Sequence, residues 1–97
     1  MVKAYIGLDV HKAKIVIGMA LAGGETPFKH GQCSADLRVF LKALRKALKK
    51  YGLQKEDVRL CYEAGPCGFV LARHLLRMGY DIVVIAPSLI PTQSGDR

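Results

Sequence analysis

No apolar run in this sequence reaches the ~18 residues that a membrane span needs. The longest, Ile15 to Ala22, has the length of a strand. The amino-terminal residues carry one lysine and then an early Asp9, which does not fit the layout of a secretory signal. There is no Cys-x-x-Cys pair and no histidine cluster, so nothing points to zinc. Cys33, Cys61 and Cys67 form an odd, scattered set, which reads as free thiols in a reducing compartment and predicts a cytoplasmic protein. No internal repeat or low-complexity segment is present. Acidic residues are scarce: eight face fifteen lysines and arginines, giving a formal charge of +7 and a pI near 9.6. That excess suits a polyanionic partner, of which nucleic acid is the commonest, or else serves only solubility.

What is present is one small domain's worth of chain. Its 97 residues are 51% hydrophobic, enough for a core. Ala4 to Val10 is an apolar run broken by one carboxylate, a pattern that predicts a central strand buried on both faces. A buried Asp9 would then need a metal ion, a cation or backbone N–H groups beside it. His11-Lys12-Ala13 is a link short enough for an antiparallel hairpin into a second strand, Lys14 to Leu21. His11 lies two residues from Asp9, where it can contact a phosphate or metal or simply face solvent.

After the Ala22-Gly23-Gly24-Glu25 turn, Thr26 to Gln32 reads as an edge strand tolerant of Pro27 and Lys29. Ser34 suits an N-cap, with Asp36 in the first turn, for a helix running to about Tyr51. Leu37, Phe40, Leu41, Leu44, Leu48 and Tyr51 form its apolar stripe, and Gly52 its stop. Lys42, Arg45, Lys46, Lys49 and Lys50 occupy its other faces, either as a solvated basic surface or as contacts to a nucleic-acid backbone.

Val58 to Tyr62 is the fourth strand, with Glu63 at its carboxyl end. A second helix is predicted from Gly65-Pro66 to about Met78, turning Phe69, Ala72, Leu75 and Leu76 to the core. Gly79 ends it, and Asp81 to Ala86 is a fifth strand. Residues 88–97 read as a loop leading onward.

Two hairpin-linked strands and a β-α-β-α-β continuation predict a mixed α/β sheet in the order 3-2-1-4-5, with helices packed on it. If strands one and four are parallel neighbours, ~4.8 Å apart, Asp9 and Glu63 meet at one carboxyl edge, where open sheets bind ligands. Two adjacent carboxylates repel unless a cation lies between them, and hard oxygen ligands suit Mg²⁺ or Mn²⁺. A pair of such ions ~4 Å apart can activate a nucleophile and stabilise the leaving oxygen of a phosphodiester. Taken alone, Glu63 is equally a helix N-terminal acid.

The motifs Gly7-Leu8-Asp9-Val10-His11-Lys12, Glu63-Ala64-Gly65-Pro66-Cys67-Gly68, Val84-Ile85-Ala86-Pro87-Ser88-Leu89-Ile90-Pro91 and Gly95-Asp96-Arg97 follow one another along nearly the whole chain. Together they resemble the start of a DEDD transposase of the insertion-sequence one-ten family, related to the Piv/MooV DNA invertases. The resemblance implies a RuvC-like, ribonuclease H-like fold, with residues 1–87 as the N-terminal part of the catalytic domain and 88–97 leading to a missing continuation. It implies metal-dependent DNA strand cleavage and transfer, a structured guide RNA as a second partner, and a homo-oligomer in the full-length protein.

Asp9 matches the family's first aspartate and Glu63 its glutamate. The remaining two aspartates belong to a Lys-Thr-Asp-x-x-Asp-Ala segment that follows Gly-Asp-Arg in the family, where this sequence stops; Asp96 does not stand in for them. A second domain with a catalytic serine is also missing, so the expectation is a fragment inactive on its own. The residues expected to contact nucleic acid are His11, Lys12, Lys42, Arg45, Lys46 and Lys49.

Three rival readings compete with this one. A non-catalytic basic nucleic-acid-binding module would use the first helix and be indifferent to Asp9. An actin-like or sugar-kinase-type ATP-binding domain shares the sheet order, but Val10-His11-Lys12 lacks the small residues that let backbone approach phosphates. A Cys67 hydrolase would need a base, and His74 is about two helical turns away.

Overall fold

The computed structural model describes residues 2–11, 13–24, 26–63 and 70–85, with only the backbone of His11. The elements are β1 (Ala4–His11), β2 (Lys14–Leu21), β3 (Phe28–Ser34), α1 (Leu37–Lys50), a 3-10 turn (Lys55–Asp57), β4 (Val58–Glu63), α2 (Val70–Arg77) and β5 (Asp81–Ile85). They form one five-stranded sheet in the order β3-β2-β1-β4-β5. β1 is antiparallel to β2 and β2 to β3, whereas β4 runs parallel to both β1 and β5. The predicted order and directions hold, because each single-helix crossover returns the chain parallel to the strand it left.

One expectation is overturned. β1 is not buried on both faces: Ala4, Ile6 and Leu8 are 0–2% exposed, while Tyr5 and Asp9 are open to solvent. Both helices contribute to a single core cluster, through Phe40, Leu44 and Leu48 of α1 and Ala72 and Leu75 of α2. These pack on Ile6, Leu8, Ile15, Ile17, Leu60 and Tyr62 of the sheet. Alternation along a strand sends every second residue to the opposite face. Tyr5, Gly7 and Asp9 therefore share a face that the described helices leave open. With the ring of Tyr5 and the bare backbone of Gly7 at its outward positions, the run Ala4-Tyr5-Ile6-Gly7-Leu8 imitates a doubly buried strand.

Local chemistry sets the element boundaries. Asp36, not Ser34, is the N-cap of α1: its carboxylate accepts from the backbone N–H of Arg38 at 2.9 Å and of Val39 at 3.3 Å. Ser34 stays in β3, two residues beyond the predicted strand end, and its hydroxyl accepts from the Asp36 N–H at 3.1 Å. Gly52 ends α1 with φ +66° and Gly79 ends α2 with φ +91°, a conformation that costs glycine little. Leu76, predicted to face the core, is 56% exposed, one position past the buried Leu75 on a short helix. The starts predicted for α2 at Gly65-Pro66, Phe69, the end of β5 at Ala86, and the 88–97 loop lie outside the described residues.

Candidate functional site

The parallel ladder between β1 and β4 pairs Ala4 with Val58, Ile6 with Leu60, Gly7 with Cys61 and Leu8 with Tyr62. Asp9 and Glu63 are each one residue past the last pair, at the carboxyl ends of neighbouring strands. Parity puts them on one face: Asp9 follows Tyr5 and Gly7, and Glu63 follows Arg59 and Cys61. Asp9 is paired across the sheet with Val16 of β2, and Glu63 with Ile85 of β5. The row across the carboxyl edge is thus Val16, Asp9, Glu63, Ile85, two carboxylates flanked by aliphatic side chains. Both carboxylates are exposed. The buried Asp9 of the sequence reading is corrected: it stands at a solvent-facing edge because the helices lie on the other side.

This geometry suits a hard divalent cation. Mg²⁺ is commonly held by one or two carboxylates with several waters retained in its shell, and an exposed edge leaves room for them. Among the described residues no group of three or more histidine, cysteine or acidic side chains is gathered to hold a metal. Asp9 and Glu63 stand as a pair, with no third such group gathered beside them among the described residues.

The same open face carries a second charged pair at its opposite end. Arg59 Nε donates to Asp81 Oδ2 at 2.9 Å across β4 and β5. That hydrogen bond, reinforced by the Asp81 charge, pushes the Arg59 guanidinium above its ordinary value. Between the two charged rows lie Gly18, Gly7, Cys61 and Val83, so the middle of the face is flat, with Lys29 of β3 at one end of that row.

The basic residues expected to contact nucleic acid do not form one surface. Lys42, Arg45, Lys46 and Lys49 are all exposed on α1. Lys46 and Lys49 line a groove between α1 and β3, whereas Arg45 acts on Tyr80, at the start of β5, on the other flank of the helix. Burial pushes the Tyr80 phenol up, and the Arg45 charge pulls it part of the way back. Lys12 and the side chain of His11 lie outside the described residues, as does Cys67.

Two groove residues, His30 and Lys50, were absent from the sequence-derived set. Lys50 was visible as part of the basic run. His30 was not, because it lies at a register shift: Ile17 pairs with Gly31 and Gly18 with Lys29, which leaves His30 as the extra residue of a bulge. No helix among the described residues is long and apolar enough to cross a membrane.

No protein-family model matches the chain. It is similar to y4qE of Sinorhizobium fredii, a protein assigned as a transposase, with 36% identity over 95 residues covering 98% of this chain and 24% of that protein. It is also similar to the transposase for insertion sequence element IS1533 of Leptospira borgpetersenii, with 33% identity over 95 residues, 98% of this chain and 26% of the relative. The chain therefore spans about a quarter of the length of these curated relatives, and transposase is the description that both carry.

Proposed function

We propose that this chain is part of the catalytic domain of a DNA transposase with a ribonuclease H-like, RuvC-like fold, and that Asp9 and Glu63 supply two of its metal ligands. The observation that carries the reading is the placement of the two carboxylates, side by side at the carboxyl edge of adjacent parallel strands. The similarity to transposases along 98% of the chain supports the same reading. In the full-length protein the activity is DNA strand cleavage and transfer, with a structured guide RNA and a second copy of the protein as further partners.

Asp9 and Glu63 are the side chains that would hold Mg²⁺ or Mn²⁺. When bound, such an ion supplies an activated water or hydroxyl nucleophile and offsets charge on the leaving oxygen. The protein contributes alignment. The rigid β1–β4 ladder fixes the two carboxylates relative to each other, and the flat face beside them lets a polynucleotide approach without a steric wall. Two carboxylates are half of a four-acid site, so the isolated 97-residue chain is expected to be inactive.

The test is strand cleavage of element-end DNA by the full-length parent in Mg²⁺ or Mn²⁺, comparing wild type with Asp9→Asn and Glu63→Gln. Each variant is expected to lose at least about 100-fold in rate while keeping its fold and its DNA affinity, as removal of a group that stabilises developing charge does. Cleavage that survives both substitutions rejects the assignment. Cleavage by the isolated chain that Asp9→Asn abolishes rejects only the inactivity of the fragment.

A further inference from the structure

The face of α1 turned toward β3 forms an open groove of about 470 Å³ lined by Ile17, His30, Gly31, Gln32, Ala43, Lys46, Lys49 and Lys50. Lys46, Lys49 and Lys50 stand at i, i+3 and i+4 and so project from the same side of the helix. Lys42 extends the row one turn toward the amino end, for a stripe about 12 Å long. Among the described residues no acid lines the groove. Between Asp36 and Glu56 the sequence has no acidic residue at all, and β3 has none.

Two basic side chains elsewhere have acidic partners: Lys3 lies 3.7 Å from Asp57, and Arg59 is bonded to Asp81. Three lysines crowded on one helix face repel one another, and the described residues supply no compensating carboxylate in the groove. One end of the groove is stiffened by rings. His30 meets Tyr51 edge-on at 5.8 Å, Phe28 packs on Tyr51 at 6.0 Å, and the Lys50 ammonium lies 5.5 Å from the Tyr51 ring centre. The floor is apolar and small, Ile17, Gly31 and Ala43, so a chain of phosphates can approach the lysines closely.

We infer that this α1–β3 groove grips the phosphate backbone of duplex DNA, at a contact separate from the Asp9–Glu63 edge. This rests on the reading of the chain as part of a DNA transposase. The groove lies on the helix-covered side of the sheet, and the carboxylates lie on the open side. The groove lysines accordingly hold flanking DNA and do not touch the reacting phosphodiester. They set affinity and its salt dependence, not the chemistry.

The experiment is fluorescence anisotropy of the 97-residue chain on a labelled 20-base-pair duplex across a salt series, with the fold of each variant checked by circular dichroism. The groove triple K46Q/K49Q/K50Q is compared with a charge-matched triple, K3Q/R73Q/R77Q, whose sites are exposed and outside the groove. At ~50 mM salt the groove triple is expected to bind roughly 10- to 100-fold more weakly, and its plot of log affinity against log salt to be shallower by about 2 to 3, near 0.9 per lost phosphate contact. The matched triple is expected to stay within about threefold of wild type, with the salt slope kept, as removal of non-contacting charge predicts.

Equal losses in both triples overturn the groove, because binding would then follow net charge alone. A groove triple that loses an RNA hairpin but keeps the duplex overturns the choice of DNA. Wild-type binding that the groove triple retains also overturns the groove, while leaving the cleavage test of Asp9 and Glu63 untouched. A wild-type chain with no affinity for DNA overturns the groove and counts against the transposase reading as well.

Discussion

On the covered face of the sheet Ile6, Ile17 and Leu60 are 0–1% exposed, while on the other face Tyr5, Val83 and Ile85 keep 44%, 42% and 38% of their surface in water. The same strands build both. Ile6 and Tyr5 are adjacent on β1, share its backbone hydrogen bonds, and differ only in which way the pleat sends them. The covered face holds nearly all of the packed apolar side chains. The open face holds the charged rows, Asp9 with Glu63 at one end and Arg59 with Asp81 at the other. Stability and proposed chemistry are thus separated by parity, so a substitution on one face can leave the other intact.

The sharpest test of this division is a pair of neighbouring substitutions. Ile6→Ala should cost about 2–5 kcal/mol by removing buried methylenes and leaving a cavity in the core. Tyr5→Ser should cost less than about 1 kcal/mol, as at other largely solvated positions. Urea denaturation of both variants reads the contrast, and equal losses would mean that the open face is also packed in solution. Against a total stability of about 5–15 kcal/mol for a domain of this size, the first loss is severe.

A smaller effect is expected where α1, a cover of the core, is anchored. Asp36→Ala removes the acceptor for two N–H groups and should cost about 1 kcal/mol, with Asp36→Ser recovering most of it. Failure of the serine to rescue would shift the role of Asp36 from cap to something else.

The smallest effect concerns pH. Burial raises the Cys33 thiol above its ordinary 9.0 and the Tyr80 phenol above its ordinary 10.0. For a group whose folded value is raised, the neutral form is favoured by folding. The contribution is complete below the unfolded value and is lost as pH rises through the folded one. Stability should therefore begin to fall above about pH 9, and Cys33→Ala should remove the earlier part of that fall. Denaturation midpoints between pH 8 and 11 give the comparison.

Much of the fold is legible in the linear pattern. Leu37, Phe40, Leu44 and Leu48 mark α1 by their spacing, and the glycines at 52 and 79 mark two helix ends by a left-handed conformation that costs glycine little and other residues more. The neighbourhood of Asp9 and Glu63 also follows from order alone, since a crossover helix makes β1 and β4 parallel and a parallel pair aligns carboxyl ends. The exposure of Asp9 does not follow, because an apolar strand reads the same whether one face or two are covered. Nor does His30, since a bulge is a misfit between two strands and belongs to neither sequence segment by itself.

Element order, strand directions and the meeting of two carboxylates at one edge are all readable along the linear chain. These rest on periodicity, turn chemistry and the handedness of crossovers, all of which are local or nearly so. That both helices cover the same face, that Asp9 and Glu63 stand in solvent, and that three of the lysines share a groove with His30 emerge with the packed fold. Those outcomes depend on which surface each element buries against its neighbours, a choice settled by packing among residues far apart in the chain.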